Sequence, residues 1–153
     1  MDDGGILKLH RFNGIEEFTV ASATVAVSQH EVKGLSITFG IAETAATKTL
    51  EDTAELLAEP EATATVFAND ASLPVGQQFK IASAYDDSIS DHVTWFYYVD
   101  HGDLDNNEIS ILERSGDRVR FRWTANTVDI NYYDDSKPKT RFEAECWATI
   151  ERD

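Results

Sequence analysis

Three arginines alternate along one stretch of the chain, at Arg118, Arg120 and Arg122. Successive side chains of a β-strand point to opposite faces, so these three guanidinium groups would stand in a row on one face. A guanidinium presents a planar set of N–H donors that fits carboxylates and other anions. The row therefore predicts either a face that binds a ligand or a set of ion pairs across neighbouring strands.

Other residues are predicted to share this face, provided that the strand at 92–100 and the last strand belong to the same sheet. Aromatic rings stack on sugars, so a groove of rings and arginines would hold a carbohydrate or a small anion. If the arginines pair instead with Glu143 and Glu145, the face is scaffolding, and each pair is worth only ~0.2–1 kcal/mol. The predicted ligand-binding residues are Phe96, Tyr98, Arg118, Arg120, Arg122, Asn131, Tyr133, Glu145 and Trp147.

The remaining patterns that could support chemistry are incomplete. Asp103, Asp105 and Asn107 have the spacing that opens a calcium loop, but the stretch lacks a glutamate at the twelfth place. The four histidines show no two-histidine spacing on one strand. Glu143 and Glu145 are two residues apart, which is more typical of surface charge than of glycoside hydrolysis. The sequence thus predicts no catalytic residue, no metal site and no cofactor.

The arginine row lies in the last third of the chain, where apolar residues alternate almost without interruption. A period of two is typical of strands with one buried face. Asn126 and Thr127, taken as a two-residue turn, would place Arg122 opposite Asn131. The buried row is predicted to comprise Ile109, Ile111, Val119, Phe121, Trp123, Val128, Ile130, Phe142, Ala144, Cys146, Ala148 and Ile150.

The first strands are predicted to form a hairpin. Asn13 and Gly14 make a strong two-residue turn pattern, because a type I′ turn needs positive φ at both central positions. The resulting register pairs aliphatic with aromatic side chains on one face and sets Arg11 opposite Glu16.

Three further stretches shape the predicted fold. The apolar phase shifts within residues 20–25, which indicates a bulge or a bend. Thr49 and Asp52 form a capping box, and the leucines after them predict one short helix at about 50–58. Residues 92–100 are apolar or aromatic on both faces, so this strand is either covered on both sides or supplies a binding face.

These elements predict a single all-β domain over residues 1–153. About ten strands and one short helix, joined mostly by short turns, favour an antiparallel sandwich that is jelly-roll-like. The alternative is an up-and-down β-barrel, because alternation does not fix strand pairing.

Charge and composition limit the partners and the location. The 153 residues include 28 acidic and 13 basic side chains, which give a net charge of −15. Such a chain repels nucleic acid and anionic membranes. Cys146 is the one cysteine, so no internal disulfide forms. No apolar run approaches the ~20 residues of a membrane helix. Since the first residues lack the features of a secretory signal, we expect a cytoplasmic protein.

The function predicted from these features is binding without catalysis. A sheet face that carries the arginine row and nearby rings would bind a carbohydrate or a small anionic ligand. The alternative is a protein-interaction or homo-oligomeric assembly domain that uses the same face or a free sheet edge. An enzyme is the least supported alternative.

Overall fold

The computed structural model describes residues 4–54, 59–98, 100–132, 134 and 136–152. These residues form twelve strands and no helix, which confirms the all-β fold. The described part accordingly has no helix with the length and hydropathy that a membrane crossing requires. The strands are β1 (Gly4–Arg11), β2 (Gly14–His30), β3 (Gly34–Lys48), β4 (Glu61–Ala68), β5 (Gln78–Ile81), β6 (Tyr85–Asp86), β7 (Asp91–His92), β8 (Thr94–Tyr98), β9 (Asp100–Gly102), β10 (Asp105–Ser115), β11 (Arg118–Thr127) and β12 (Thr140–Arg152).

Ten strands form one sheet, in the order β5-β10-β11-β12-β1-β2-β3-β4-β8-β9, and β6 and β7 form a separate hairpin. Neighbours in the sheet are mostly neighbours in the chain, and the pairing of β12 with β1 joins the last strands to the first hairpin. The pairs are antiparallel, apart from a short parallel contact between β12 and β2. Because β5 and β9 are edges, the sheet is not closed, which is consistent with the predicted sandwich.

The long strands β2 and β3 bend where the sequence predicts a bend. In β2 the buried positions change phase between Val20 and Ala23, and Glu43 of β3 takes a left-handed φ of 53° at the same level. At this level β12 replaces β1 as the neighbour of β2, with Thr149 opposite Thr24. The bend folds one half of the sheet over the other.

Two glycines allow β1 to begin between β2 and β12. A Cβ atom on Gly5 would lie 1.9 Å from the carbonyl oxygen of Glu145. A Cβ on Gly4, whose φ is 128°, would lie 2.2 Å from the carbonyl oxygen of Val20. Side chains at these places would overlap the backbone of the neighbouring strands, so glycine is required for the close approach.

One core fills the space between the two halves of the sheet. The ring of Phe39 on β3 lies 5.2 Å from that of Phe121 on β11 and 5.7 Å from that of Phe79 on β5, measured between centroids. These strands are far apart in the strand order. The ring contacts therefore show how strongly the sheet curls.

Strand β11 is longer than predicted. It pairs with β12 along its whole length, to Thr127 opposite Thr140, so the predicted turn at Asn126 and Thr127 is wrong. Residues 128–139 instead connect β11 to β12. Strands β11 and β12 pair at ten positions. A hairpin formed with the residues directly after Thr127 would provide fewer paired positions. The predicted inward row is buried except for Val128 and Ile130, which are partly buried.

The first hairpin has the predicted faces and a different register. Its turn consists of Phe12 and Asn13, and Arg11 lies opposite Gly14. The shift is two residues, and an even shift keeps the same side chains on the inner face. Arg11 and Glu16 are therefore both on the buried side.

The short helix predicted at about 50–58 is not present in its described part. Residues 51–54 form a turn, and residues 55–58 lie outside the described residues. The carboxylate of Asp52, which the prediction used as part of a capping box, binds Arg11 instead. That contact holds the turn against the end of the sheet.

Cys146 should report on unfolding of the core. Its thiol is buried on β12, and burial, with a smaller effect of the charge of Glu145, raises its pKa to about 12. Because the thiolate is the reactive form, we expect a disulfide reagent at pH 8 to label the protein only after urea is added. The variant Ser115→Cys, with an exposed thiol at the end of β10, is the control and should react at once. Complete labelling of Cys146 within minutes in buffer would contradict this burial.

Candidate functional site

The arginine row stands on the outer face of β11, and acidic side chains surround it. Arg120 donates hydrogen bonds to Glu145 and to Glu113, each at 3.0 Å. Arg122 donates to Glu143 at 3.4 Å. The guanidinium groups of Arg120 and Arg122 are therefore engaged by carboxylates of their own sheet, and we call this arrangement the arginine ladder.

Phe96 and Tyr98 do not lie on the face of the arginine ladder. Both are buried, whereas Trp95 and Tyr97, which alternate with them on β8, are exposed. The neighbouring strand gives the reason: Ala62 of β4 lies opposite Phe96. Its small side chain leaves space for the ring inside the core.

The other predicted site residues are not all together. Glu145 and Trp147 border the arginine ladder on β12. Asn131 lies beyond the end of β11 and donates to Asp52 at 3.2 Å. It is not opposite an arginine, because β11 pairs with β12 throughout. Tyr133 lies outside the described residues.

A chain of five aromatic rings, which we call the aromatic strip, covers the outer face of β8 and the segments beside it. The centroids of successive rings are 5.1–5.8 Å apart. Trp95 is 50% exposed, and Tyr97 and Tyr85 are each 43% exposed. Contiguous exposed apolar surface of this kind commonly marks a binding face. In order along the surface, the aromatic strip consists of Tyr85, His92, Trp95, His101 and Tyr97.

Three of these rings line a shallow, open depression of about 440 Å³, which we call the Trp95 depression. On its other side β4 places Thr63 opposite Trp95 and Glu61 opposite Tyr97. The rings of Trp95 and Tyr97 are tilted by 76° and 56° to the ring of His101. The three rings are therefore not coplanar. The depression combines apolar ring surface with the hydroxyl of Thr63 and the carboxylate of Glu61.

A second feature is a buried cluster of charges at the tip of the first hairpin, which we call the Arg11 cluster. Arg11 donates two hydrogen bonds to Asp129, at 2.8 and 3.0 Å, and two to Asp52, at 2.8 and 2.9 Å. Burial lowers the pKa of Arg11, but the two carboxylates outweigh it and hold that pKa above its usual value. Arg11 thus ties the hairpin to the turn at 51–54 and to the connection at 128–139.

Glu16 extends the Arg11 cluster towards β8. Its Oε1 lies 3.7 Å from Nη1 of Arg11. Its Oε2 accepts hydrogen bonds from the Tyr98 hydroxyl at 3.1 Å, from the Leu50 amide at 3.3 Å and from the Thr53 hydroxyl. Burial, and then the charge of Glu16, raise the pKa of Tyr98, so its hydroxyl remains a donor. Tyr98 thereby fastens β8 to the cluster.

On its inner side, the Arg11 cluster leaves space for little more than a water molecule, and on its outer side Asp52 borders an open surface depression. The cavity beside Arg11 and Tyr98 has a volume of about 10 Å³. A single water molecule needs about that much. The cluster is therefore a structural feature of the end of the sheet.

The sequence contains patterns that mark both features. Residues 92–100 are apolar on both faces, which points to exposed rings on one of them. Arg11 and Glu16 fall in the same alternating rows as Leu9 and Phe18. Their positions therefore predict burial, although the prediction treated them only as a pair of opposite charges.

The spacing of Asp103, Asp105 and Asn107 resembles the start of a calcium loop, but Asp105 and Asn107 make hydrogen bonds within the fold. Asp105 accepts a hydrogen bond from the amide of Ala84 at 2.9 Å. Asn107 is buried and accepts one from the indole of Trp123, also at 2.9 Å. Within the described ranges, no three histidine, cysteine or acidic side chains are grouped to hold a metal ion.

Comparison with known proteins gives no family or relative for this chain. No family model matches it, and neither a curated protein nor a solved structure shows significant similarity to it. The function must therefore be argued from the site itself.

Arg11 and Arg120 each donate hydrogen bonds to two carboxylates, but their substitution should reduce the free energy of unfolding by very different amounts. Arg11→Ala leaves the buried carboxylates of Asp129 and Glu16 without a counter-charge, so we expect a loss of about 3–5 kcal/mol in the free energy of unfolding. Arg120→Ala removes partly exposed pairs of the arginine ladder, and we expect a loss of about 1 kcal/mol or less. Urea titration at pH 7 measures both variants. Equal losses would contradict the structural role of the Arg11 cluster.

The pairing of Asp52 with Arg11 should make stability depend on acid. The hydrogen bond from Arg11 lowers the pKa of Asp52 in the folded state. The stabilisation is therefore complete at neutral pH and is lost as the pH falls below about 4, the usual aspartate value, and through the lowered one. We expect the difference in unfolding free energy between the wild type and Asp52→Asn to be largest near pH 7 and to shrink towards pH 3. A difference that grows on acidification would contradict the pairing.

Proposed function

We propose that this protein is a binding module for a neutral carbohydrate, and that the Trp95 depression holds the sugar. The observation that carries the proposal is that Trp95, Tyr97 and His101 line one depression, with the first two side chains about half exposed. Exposure of an indole and a phenol side by side costs hydration free energy that a stacked ligand would recover.

The chemistry of the depression suits a sugar. A sugar ring has apolar C–H faces, which stack on aromatic rings, and hydroxyls around its edge. The carboxylate of Glu61 and the hydroxyl of Thr63 lie beside the rings and can accept or exchange hydrogen bonds with such hydroxyls. Pockets of this kind, mostly apolar with a few placed polar groups, are typical of small-ligand sites.

The charges favour a neutral ligand over an anionic one. Glu61 lines the Trp95 depression, and Asp103 lies 3.8 Å from the His92 ring of the aromatic strip. The chain as a whole carries −15. The cations that the anionic alternative relies on, Arg120 and Arg122, are hydrogen-bonded to glutamates of the arginine ladder.

Binding is favoured over hydrolysis of the sugar. Glycoside hydrolysis needs two carboxyl groups placed on either side of the bond to be cleaved. Among the described residues that line the Trp95 depression, Glu61 is the one carboxylate.

Assembly through the aromatic strip is the second candidate. Trp and Tyr are common anchors of protein interfaces, and the strip lies beside the free edge of the sheet at β9. An interface between copies would disappear on Trp95→Ala, and sedimentation would show the change from dimer to monomer. The carboxylate of Glu61 and the hydroxyl of Thr63 beside the rings favour the sugar.

The test is the titration of a panel of linear hexasaccharides by calorimetry. The panel contains neutral chains of glucose, of xylose and of N-acetylglucosamine, and an anionic chain of galacturonate. We expect one of the neutral chains to bind, and Trp95→Ala to weaken that binding about tenfold or more through the loss of stacking.

Two variants serve as controls for this test. Ile6→Ala removes another exposed apolar side chain, on β1 beside Glu143 and Glu145, and should bind as the wild type does. The double variant Arg120→Ala, Arg122→Ala should also retain binding. If the double arginine variant lost the ligand and Trp95→Ala kept it, the site would be the arginine ladder and the proposal would be wrong.

A further inference from the structure

From the geometry beyond the Trp95 depression we infer that the ligand is a chain of two or more sugar residues, and that a second subsite lies at Tyr85. This inference rests on the proposed function and extends it. The first subsite is the Trp95 depression. The second consists of Tyr85 and the polar groove into which it leads.

The aromatic strip continues past the first subsite. From Trp95, the next ring is His92 at 5.8 Å, and the next is Tyr85 at 5.2 Å from His92. A single sugar ring is about as large as one aromatic ring, so one sugar cannot cover this length. Tyr85 is nonetheless exposed to the same degree as Tyr97, which lines the first subsite.

Tyr85 is also part of the wall of a second cleft, a polar groove of about 660 Å³. The groove runs between β4 and β5 and is bordered by Thr65, Ser83, Asp86, Asp87 and Ser88. Most of the exposed surface of the groove is polar, in contrast to the apolar first subsite, although Phe67, Phe79 and Lys80 also line it. A sugar chain would fit an apolar subsite followed by a polar groove, because each sugar residue offers both a face for stacking and hydroxyls for hydrogen bonds.

The turn beside Tyr85 is held in one conformation before any ligand arrives. Asp86 accepts hydrogen bonds from the hydroxyl and the amide of Ser88, at 2.6 and 2.9 Å, and these bonds lower the pKa of Asp86. The carboxylate therefore stays ionised and the turn stays in place. A preformed turn reduces the ordering cost of binding.

We expect the affinity for the sugar to increase with the number of residues in the sugar chain. For the sugar that the hexasaccharide panel identifies, we expect the trisaccharide to bind the wild type at least about tenfold more tightly than the monosaccharide. Tyr85→Ala should abolish most of this gain and leave monosaccharide affinity unchanged. Tyr97→Ala, in the first subsite, should weaken both ligands and is the matched control.

A second measurement does not depend on a variant. In amide spectra of the wild type, the trisaccharide should shift the resonances of residues 83–88, and the monosaccharide should shift those around Trp95 alone. If both ligands bind equally well and the resonances of 83–88 stay unmoved, the second subsite is absent although the first one holds. If no sugar of any length binds the wild type, the proposed function itself fails, and the inference fails with it.

Discussion

The rest of the fold depends on one buried guanidinium. Arg11 is removed from water at the tip of the first hairpin, and a charge in that position is tolerated only when carboxylates compensate it. Asp129 and Asp52 supply two bidentate pairs, and both lie outside the twelve strands, Asp52 in a turn and Asp129 in an isolated bridge. Because the charge cannot be left uncompensated, the hairpin, the turn at 51–54 and the connection at 128–139 must be assembled together. The Arg11 cluster therefore holds Asp52 and Asp129, which lie outside the strands, against the end of the sheet.

The same cluster also fixes the strand that carries the proposed site. Tyr98 points inwards from β8 and donates to Glu16, and the contact of Phe96 with Phe142 anchors the middle of the strand in the core. Side chains of a strand alternate, so fixing Phe96 and Tyr98 inside places Trp95 and Tyr97 outside. Rings held in this way lose little conformational freedom when a ligand stacks on them. The buried charges thus position an exposed apolar surface on the opposite face of the same strand.

The sequence predicts the features that follow from the alternation of buried and exposed residues along a strand. It does not predict which strands pair with one another. Alternation identifies the strands, the bend after Val20 and the buried row of the last third, because burial of one face imposes a period of two. It does not show that β11 would continue past Asn126 to pair with β12, since that choice depends on a strand that follows twelve residues later. The two apolar faces of residues 92–100 leave two alternatives, a strand covered on both sides or one with a binding face, and the structure shows Trp95 and Tyr97 exposed. The inner face is the one whose side chains contact distant strands, Phe96 with Phe142 and Tyr98 with Glu16, and no local pattern reveals these contacts.

The two sets of side chains that would suit a ligand differ in what already occupies them. In the arginine ladder, each bond that Arg120 makes to Glu113 or Glu145 would have to be exchanged for a bond to the ligand, so the net gain is small. In the Trp95 depression, the faces of Trp95 and Tyr97 are covered by water alone over about half of their surface, and stacking releases that water at no cost in existing bonds. The acidity of the chain adds to the difference, because it opposes an anion at either place but has little effect on a neutral sugar. The exposed faces of Trp95 and Tyr97 would therefore contribute more free energy to the proposed sugar binding than the arginine ladder would to the binding of an anion.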